Sequence, residues 1–191
     1  MKLENATMYH FHKIGVYDAN WNIGNQFNVN DSFNNNLCYG VKTIDNNESL
    51  IDQKIDYYKL VEEDFGKFYI REVMLELFRT INFPDCISRM NCMYFCDEKS
   101  LLYWSSIFKF GYDLYKVTLN GEAFKSSSKL LPEMNEVYTY EQLEAFCNNY
   151  WKPNLMDENL NCFAEYLFQG NVIVKEKLDP EQIRSRYKTN L

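Results

Sequence analysis

The stretch CFAEYLFQGNVIV, residues 162–174, decides the fold. Its first half, AEYLF, is apolar and strand-forming except for one carboxylate, Glu165. Gly170 then interrupts the run, and NVIVKEKL resumes it. Aromatic and β-branched residues dominate both halves, so the pattern predicts two short strands with Gly170 between them. A carboxylate in such a run is either a solvent-facing strand residue or a placed functional group.

Outward from this stretch, strands and helices are mixed. MYHFHKI (8–14) has β propensity, and a turn near Gly24 leads to a short strand in NQFNV. Residues 30–49 are rich in Asn and read as a long loop. Between residues 64 and 81, Ile70, Val73, Met74, Leu77, Phe78 and Ile81 recur at helical spacing, and Asn82 and Pro84 end the helix. NCMYFCD (91–97) reads as a strand whose Asp97 caps a helix over 98–110, with Leu101, Leu102, Ser105 and Phe108 on one face. YDLYKVTL (112–119) alternates as a strand, and residues 121–137 read as a loop. Thr139 and Gln142 form a capping-box pattern that opens a helix over 138–151. Residues 152–161 read as a loop, and Pro180 starts a terminal helix. The helices are too few and too uneven for a repeating βα wind, so the expected class is α+β, in one domain over residues 1–191.

Composition narrows the function classes. The chain is 46% apolar, 17% aromatic and 25% charged, which is globular rather than disordered. Its net charge of −7 argues against a large nucleic-acid footprint. No apolar run reaches membrane-spanning length, and the start MKLENATMYHFHK lacks the apolar core of a signal peptide. The expected setting is cytoplasmic, with no membrane partner. The 6 cysteines fit a reduced state. Cys92 and Cys96 lie four apart with no second pair or nearby His to complete a zinc site, so no metal is expected. No Gly-rich phosphate loop or dinucleotide fingerprint is present.

Three features belong together: His12 in FHKI, the run RMNCMYFCDEKSLLYW (89–104), and EYLFQGNVIV (165–174). With LYKVTL between them, this ordered set resembles the ADP-ribosyltransferase fold, closest to small bacterial members of its His-Tyr-Glu branch, over residues 8 to 178. The resemblance implies a split β-sandwich with flanking helices and a cleft that holds NAD as co-substrate. It implies a transferase of the glycosyltransferase class that moves ADP-ribose onto an intracellular macromolecule, protein or nucleic acid. A toxin or defence effector with a neutralising partner protein is one such setting.

Site roles follow from the match. Cleaving the nicotinamide–ribose bond builds positive charge on the ribose, and a carboxylate beside it stabilises that charge. The resemblance gives this role to Glu165. It gives the adenosine-ribose contact to His12, the nicotinamide stack to Tyr94 with Tyr103 and Trp104 in reserve, and the NAD pyrophosphate to Arg89. These residues predict one shared cleft for His12, Tyr94 and Glu165. His10 and His12 share one strand face, so His10 is the alternative ribose contact. Arg89 also reads as the partner of a surface carboxylate, and Tyr94 reads equally as core. A Glu165 facing a wet cleft holds no core, so Glu165→Gln is expected to leave folding unaffected. Phe163 stands where arginine-modifying relatives carry a second Glu, so arginine is not the expected acceptor. The alternatives are NAD hydrolysis, RNA 2′-phosphate removal on the same fold, or a binding module without turnover.

Overall fold

The computed structural model describes residues 1–13, 21–30, 64–108, 110–133, 136, 138–153 and 157–188. The Asn-rich loop expected over 30–49 falls, beyond Asn30, outside the described residues. The class is α+β, as the order of elements predicts.

Five strands form one antiparallel sheet among the described residues: β1 (Lys2–Lys13), β2 (Gln26–Val29), β3 (Met93–Phe95), β4 (Tyr112–Ser127) and β5 (Ala164–Leu178). β4 lies between β1 and β5, and the far edge of β5 is shared by β3 and β2. A bridge between Tyr9 and Cys96 joins the end of β3 back to β1. The hydrogen-bonded circuit β1–β4–β5–β3 therefore closes, and the sheet curls around an interior.

The strand pleat sorts side chains between that interior and the outer faces. Met8, Phe95, Val117, Leu119, Tyr166, Phe168, Val172 and Val174 fill the interior with Trp21. Outside, α1 (Asp64–Asn82) and α3 (Tyr140–Trp151) cover Leu167 and Cys92 with Leu75, Tyr150 and Trp151. α2 (Glu98–Ile107) and α5 (Pro180–Lys188) cover Leu114 and Cys96 with Leu101 and Ile183. A short helix, α4 (Glu158–Asn161), precedes β5. Both predicted caps form: Asp97 accepts from the Ser100 backbone N–H, and Thr139 and Gln142 bond reciprocally.

Three expectations need correction. The expected two strands around Gly170 are one continuous strand, β5. Gly170 sits opposite Gly121 on β4, with φ at +135°. A Cβ on Gly170 would lie 2.6 Å from the Asn120 carbonyl oxygen and 2.7 Å from the Gly121 Cα. The two glycines let the long strands touch, and no ligand is needed to account for Gly170. The loop expected over 121–137 is in fact β4 as far as Ser127, then a 3₁₀ turn at Ser128–Leu130. Its small and polar residues are buried: the Ser126 hydroxyl donates to the Tyr150 carbonyl of α3 at 2.7 Å, and the Ser127 hydroxyl to the Phe163 carbonyl at 3.5 Å. Finally, α1 is rotated from its apolar stripe. Leu77 and Ile81 are 60% and 76% exposed, while Glu72 and Leu75 are buried. The reason lies in what Glu72 meets.

Candidate functional site

Glu165 follows Ala164 at the start of β5 and alternates with Tyr166 and Phe168, which point inward. Its carboxylate therefore projects to the outer face, beneath α1 and α3, where it is 4% exposed. Arg89, just ahead of β3, meets it there. Arg89 Nη1 donates to Glu165 Oε1 at 2.6 Å, and Tyr150 Oη from α3 donates to the same oxygen at 2.5 Å. Arg89 Nη1 also contacts Tyr150 Oη. The remaining edge of the guanidinium faces Glu72 of α1, with Nε to Oε2 at 2.6 Å and Nη2 to Oε1 at 3.2 Å. Arg71 donates to Glu72 Oε1 at 2.9 Å from its Nη2.

Two aromatic rings close over the guanidinium. The Tyr94 and Tyr150 ring centroids lie 5.3 and 4.9 Å from Arg89 Cζ. Tyr94 Oη donates to the Arg89 carbonyl at 3.0 Å, which fixes the segment leading into β3. Glu72, Arg89, Tyr94, Tyr150 and Glu165 thus tie α1, β3, α3 and β5 together.

Electrostatics follow from this packing. Burial opposes the charge on Arg89, but Glu72, the two tyrosines and Glu165 outweigh it and raise its pKa well above the ordinary value. Burial likewise opposes the Glu72 carboxylate, yet Arg89 and Arg71 hold its pKa below the ordinary range. Burial pushes the Tyr150 and Tyr94 hydroxyls well up, so both remain protonated donors. Glu72 and Arg89 are thus held as opposite charges with neutral phenols around them.

The five predicted site residues divide. Arg89, Tyr94 and Glu165 come together. Tyr103 packs edge-on against Phe163 at 4.7 Å, and its hydroxyl accepts from Ser128 Oγ at 3.2 Å. His12 does not join them. Its ring lies 5.0 Å from Trp21 and 6.3 Å from Tyr115, in the interior of the curled sheet and across it from Glu165. The shared cleft expected for His12, Tyr94 and Glu165 is therefore not formed. His10 offers no substitute, because it points the same way. It stacks on Trp21 at 4.5 Å, and its Nδ1 lies 2.8 Å from the Tyr94 carbonyl oxygen. The odd–even pleat causes this separation: residues 10 and 12 of β1 and residue 165 of β5 fall on opposite faces. Arg89, 3% exposed, serves the two carboxylates rather than an open phosphate subsite.

Sequence reasoning missed Glu72 and Tyr150. Glu72 sits in a charged helix, where a glutamate ordinarily reads as solvated. Tyr150 is one of 15 tyrosines. Among the described residues, no group of three His, Cys, Asp or Glu side chains is arranged to hold a metal. Cys86, Cys92, Cys96, Cys147 and Cys162 are free thiols. No described helix is long and apolar enough to cross a membrane.

The fold and this cluster define an α+β protein whose curled antiparallel sheet carries a buried Arg–Glu–Tyr assembly on its outer face. A family model described as a protein of unknown function, DUF2441, matches residues 8–180. The chain belongs to that family. No curated protein matches it.

Proposed function

We propose that this chain is an NAD-dependent ADP-ribosyltransferase on an ADP-ribosyltransferase-like fold, acting on an intracellular protein or nucleic acid with Glu165 as its catalytic carboxylate. One observation carries this reading. Both hydrogen bonds to Glu165 fall on Oε1, and none of the described hydrogen bonds reaches Oε2. Oε2 is not among the buried oxygens that lack a partner, so the packing around Glu165 fixes the carboxylate through Oε1. A carboxylate anchored through one oxygen by two fixed donors suits a group that hydrogen-bonds a ribose hydroxyl while its charge stabilises the developing cation. Tyr94, on the same face, supports the reading as the nicotinamide neighbour. In this reading Arg89 is an anchor for Glu165, not a phosphate contact, and His12 contributes no direct contact beside Glu165.

A second reading is a binding module without turnover. The observation favouring it is the near-complete burial of Glu165 and the location of His12 across the sheet. Incubation with radiolabelled NAD and a cell lysate separates the two. Label carried into macromolecules, and removed by either nuclease or protease, supports transfer and identifies the acceptor class. Intact NAD after prolonged incubation with folded protein refutes transfer and leaves the binding module.

A further inference from the structure

A guanidinium hydrogen-bonded to the catalytic carboxylate poses an electrostatic difficulty. A positive charge at 2.6 Å from Glu165 opposes the stabilisation of a cationic ribose. The geometry around Arg89 removes the difficulty. Glu72 takes Nε and Nη2, the broad edge of the guanidinium, with an oxygen to each. Only Nη1 is left for Glu165 and Tyr150. Glu72 itself is 1% exposed, so water screens its charge little.

We infer that Glu72 is a positioning and charge-balancing residue: it neutralises Arg89, so that Arg89 orients Glu165 without cancelling its negative charge. This inference rests on the ADP-ribosyltransferase reading and adds a role to a residue outside the catalytic contact. It also explains the rotation of α1, which exposes Leu77 and Ile81 in order to bury Glu72 against Arg89. Arg71 also pairs with Glu72, through Nε and Nη2 to Oε1 at 3.2 and 2.9 Å, but Glu72 Oε2 is given to Arg89 at 2.6 Å.

The test compares the wild type, Glu72→Gln, and the double variant Glu72→Gln/Arg89→Gln, each as the full chain. Calorimetry measures two probes: a hydroxylated pyrrolidine that mimics ribose with a protonated ring nitrogen, and its uncharged carbocyclic counterpart. The wild type is expected to favour the cation by about tenfold or more, the scale of one poorly screened neighbouring charge. Glu72→Gln leaves Arg89 uncompensated and should abolish that preference. The double variant removes the opposing charge as well and should regain it. NAD turnover should fall in Glu72→Gln, with kcat down about tenfold while KM stays within a few-fold; the double variant also loses Arg89 as the anchor of Glu165, so recovery is read from the probe preference and not from turnover. A merely structural role for Glu72 predicts instead that the double variant is no better than the single one. If Glu72→Gln does not fold, the double variant, which removes both members of the Glu72–Arg89 pair and leaves Glu165 its Tyr150 hydrogen bond, decides the matter against the wild type: a retained preference supports the inference and a lost one overturns it. Unchanged preference in a folded Glu72→Gln also overturns it. A wild type that turns over no NAD and binds neither probe overturns the transferase reading itself, and the inference with it. Turnover with equal affinity for both probes overturns the inference alone.

Discussion

Glu165→Gln tests the site most directly, because its contacts set a cost in stability and the proposed transferase reading sets a separate cost in rate. The amide oxygen of glutamine can still accept from Arg89 and Tyr150, which lie 2.6 and 2.5 Å from Oε1 in the wild type. Only the charge is lost. Arg89 keeps Glu72, so the full cost of breaking a buried ion pair, about 3–5 kcal/mol, is not reached. A hydrogen bond to a charged group exceeds a neutral one by about 1 kcal/mol, and two such bonds are weakened, so the expected loss is about 2 kcal/mol. For a chain of this length each 1 kcal/mol moves Tm by roughly 2–4 °C, so Tm should fall by about 4–8 °C. This replaces the expectation that the residue leaves folding untouched. Turnover should fall by roughly 10² or more, the scale of removing one preorganised stabilising group. The two effects do not explain one another. Native stabilities of about 5–15 kcal/mol leave more than about 99% of the variant folded after a 2 kcal/mol loss. Calorimetric melting and NAD consumption at 25 °C read the two quantities. A variant that melts with the wild type shows that the Arg89 contact holds nothing. A variant that melts lower but consumes NAD at the wild-type rate shows that Glu165 is structural only.

Three further outcomes follow from the geometry. Gly170→Ala should cost more than about 3 kcal/mol, because its Cβ meets backbone at 2.6 and 2.7 Å and its φ of +135° is strained for alanine; urea unfolding checks this, and a variant as stable as the wild type removes the close-approach account. His10, whose pKa burial lowers to about 4 while the neighbouring His12 adds to the effect against the Tyr94 hydrogen bond, binds its proton more weakly folded than unfolded. Its contribution to stability is therefore complete above pH 6.5 and is lost as pH falls toward 4, by about 2–3 kcal/mol; the pH slope of urea stability over this window should flatten in His10→Gln, and an unchanged slope counts against the assignment. Thr139→Ala removes one half of the capping box of α3 and should cost about 1 kcal/mol by urea unfolding, while a neutral substitution shows that the cap is not limiting.

The helices were legible because their signals are local. Asp97 and Thr139 each mark a start within four residues, and both caps form where the sequence puts them. The sheet was less legible because its signals are not local. Gly121 and Gly170 each read as a break when taken alone. Only their pairing across β4 and β5 shows that each glycine makes room for the other strand. The same holds for Ser126 and Ser127, which look like loop residues until their pairing with β5 and their contacts to the Tyr150 and Phe163 carbonyls are seen. The resemblance brought Arg89, Tyr94 and Glu165 to attention, and the fold does gather these three. It failed for His12, because a face of β1 can be read from alternation but its relation to a face of β5 depends on how the sheet curls.

The buried cluster shows where local reading stops and what would have extended it. Arg89 stands directly before an apolar strand, in RMNCMYF, so a buried guanidinium and a counter-charge were foreseeable. The chain offers 27 acidic residues, and spacing selects none of them. The partners found are Glu72, 17 residues earlier, and Glu165, 76 residues later. α1 could bury its apolar stripe or its acidic partner against this part of the sheet, but not both. A guanidinium already desolvated by β3 and α3 makes the ion pair decisive, since an unpaired buried charge costs more than two exposed aliphatic side chains gain by burial. Leu77 and Ile81 are left in solvent for that reason, and the helix face that periodicity nominated is the one that electrostatics overruled.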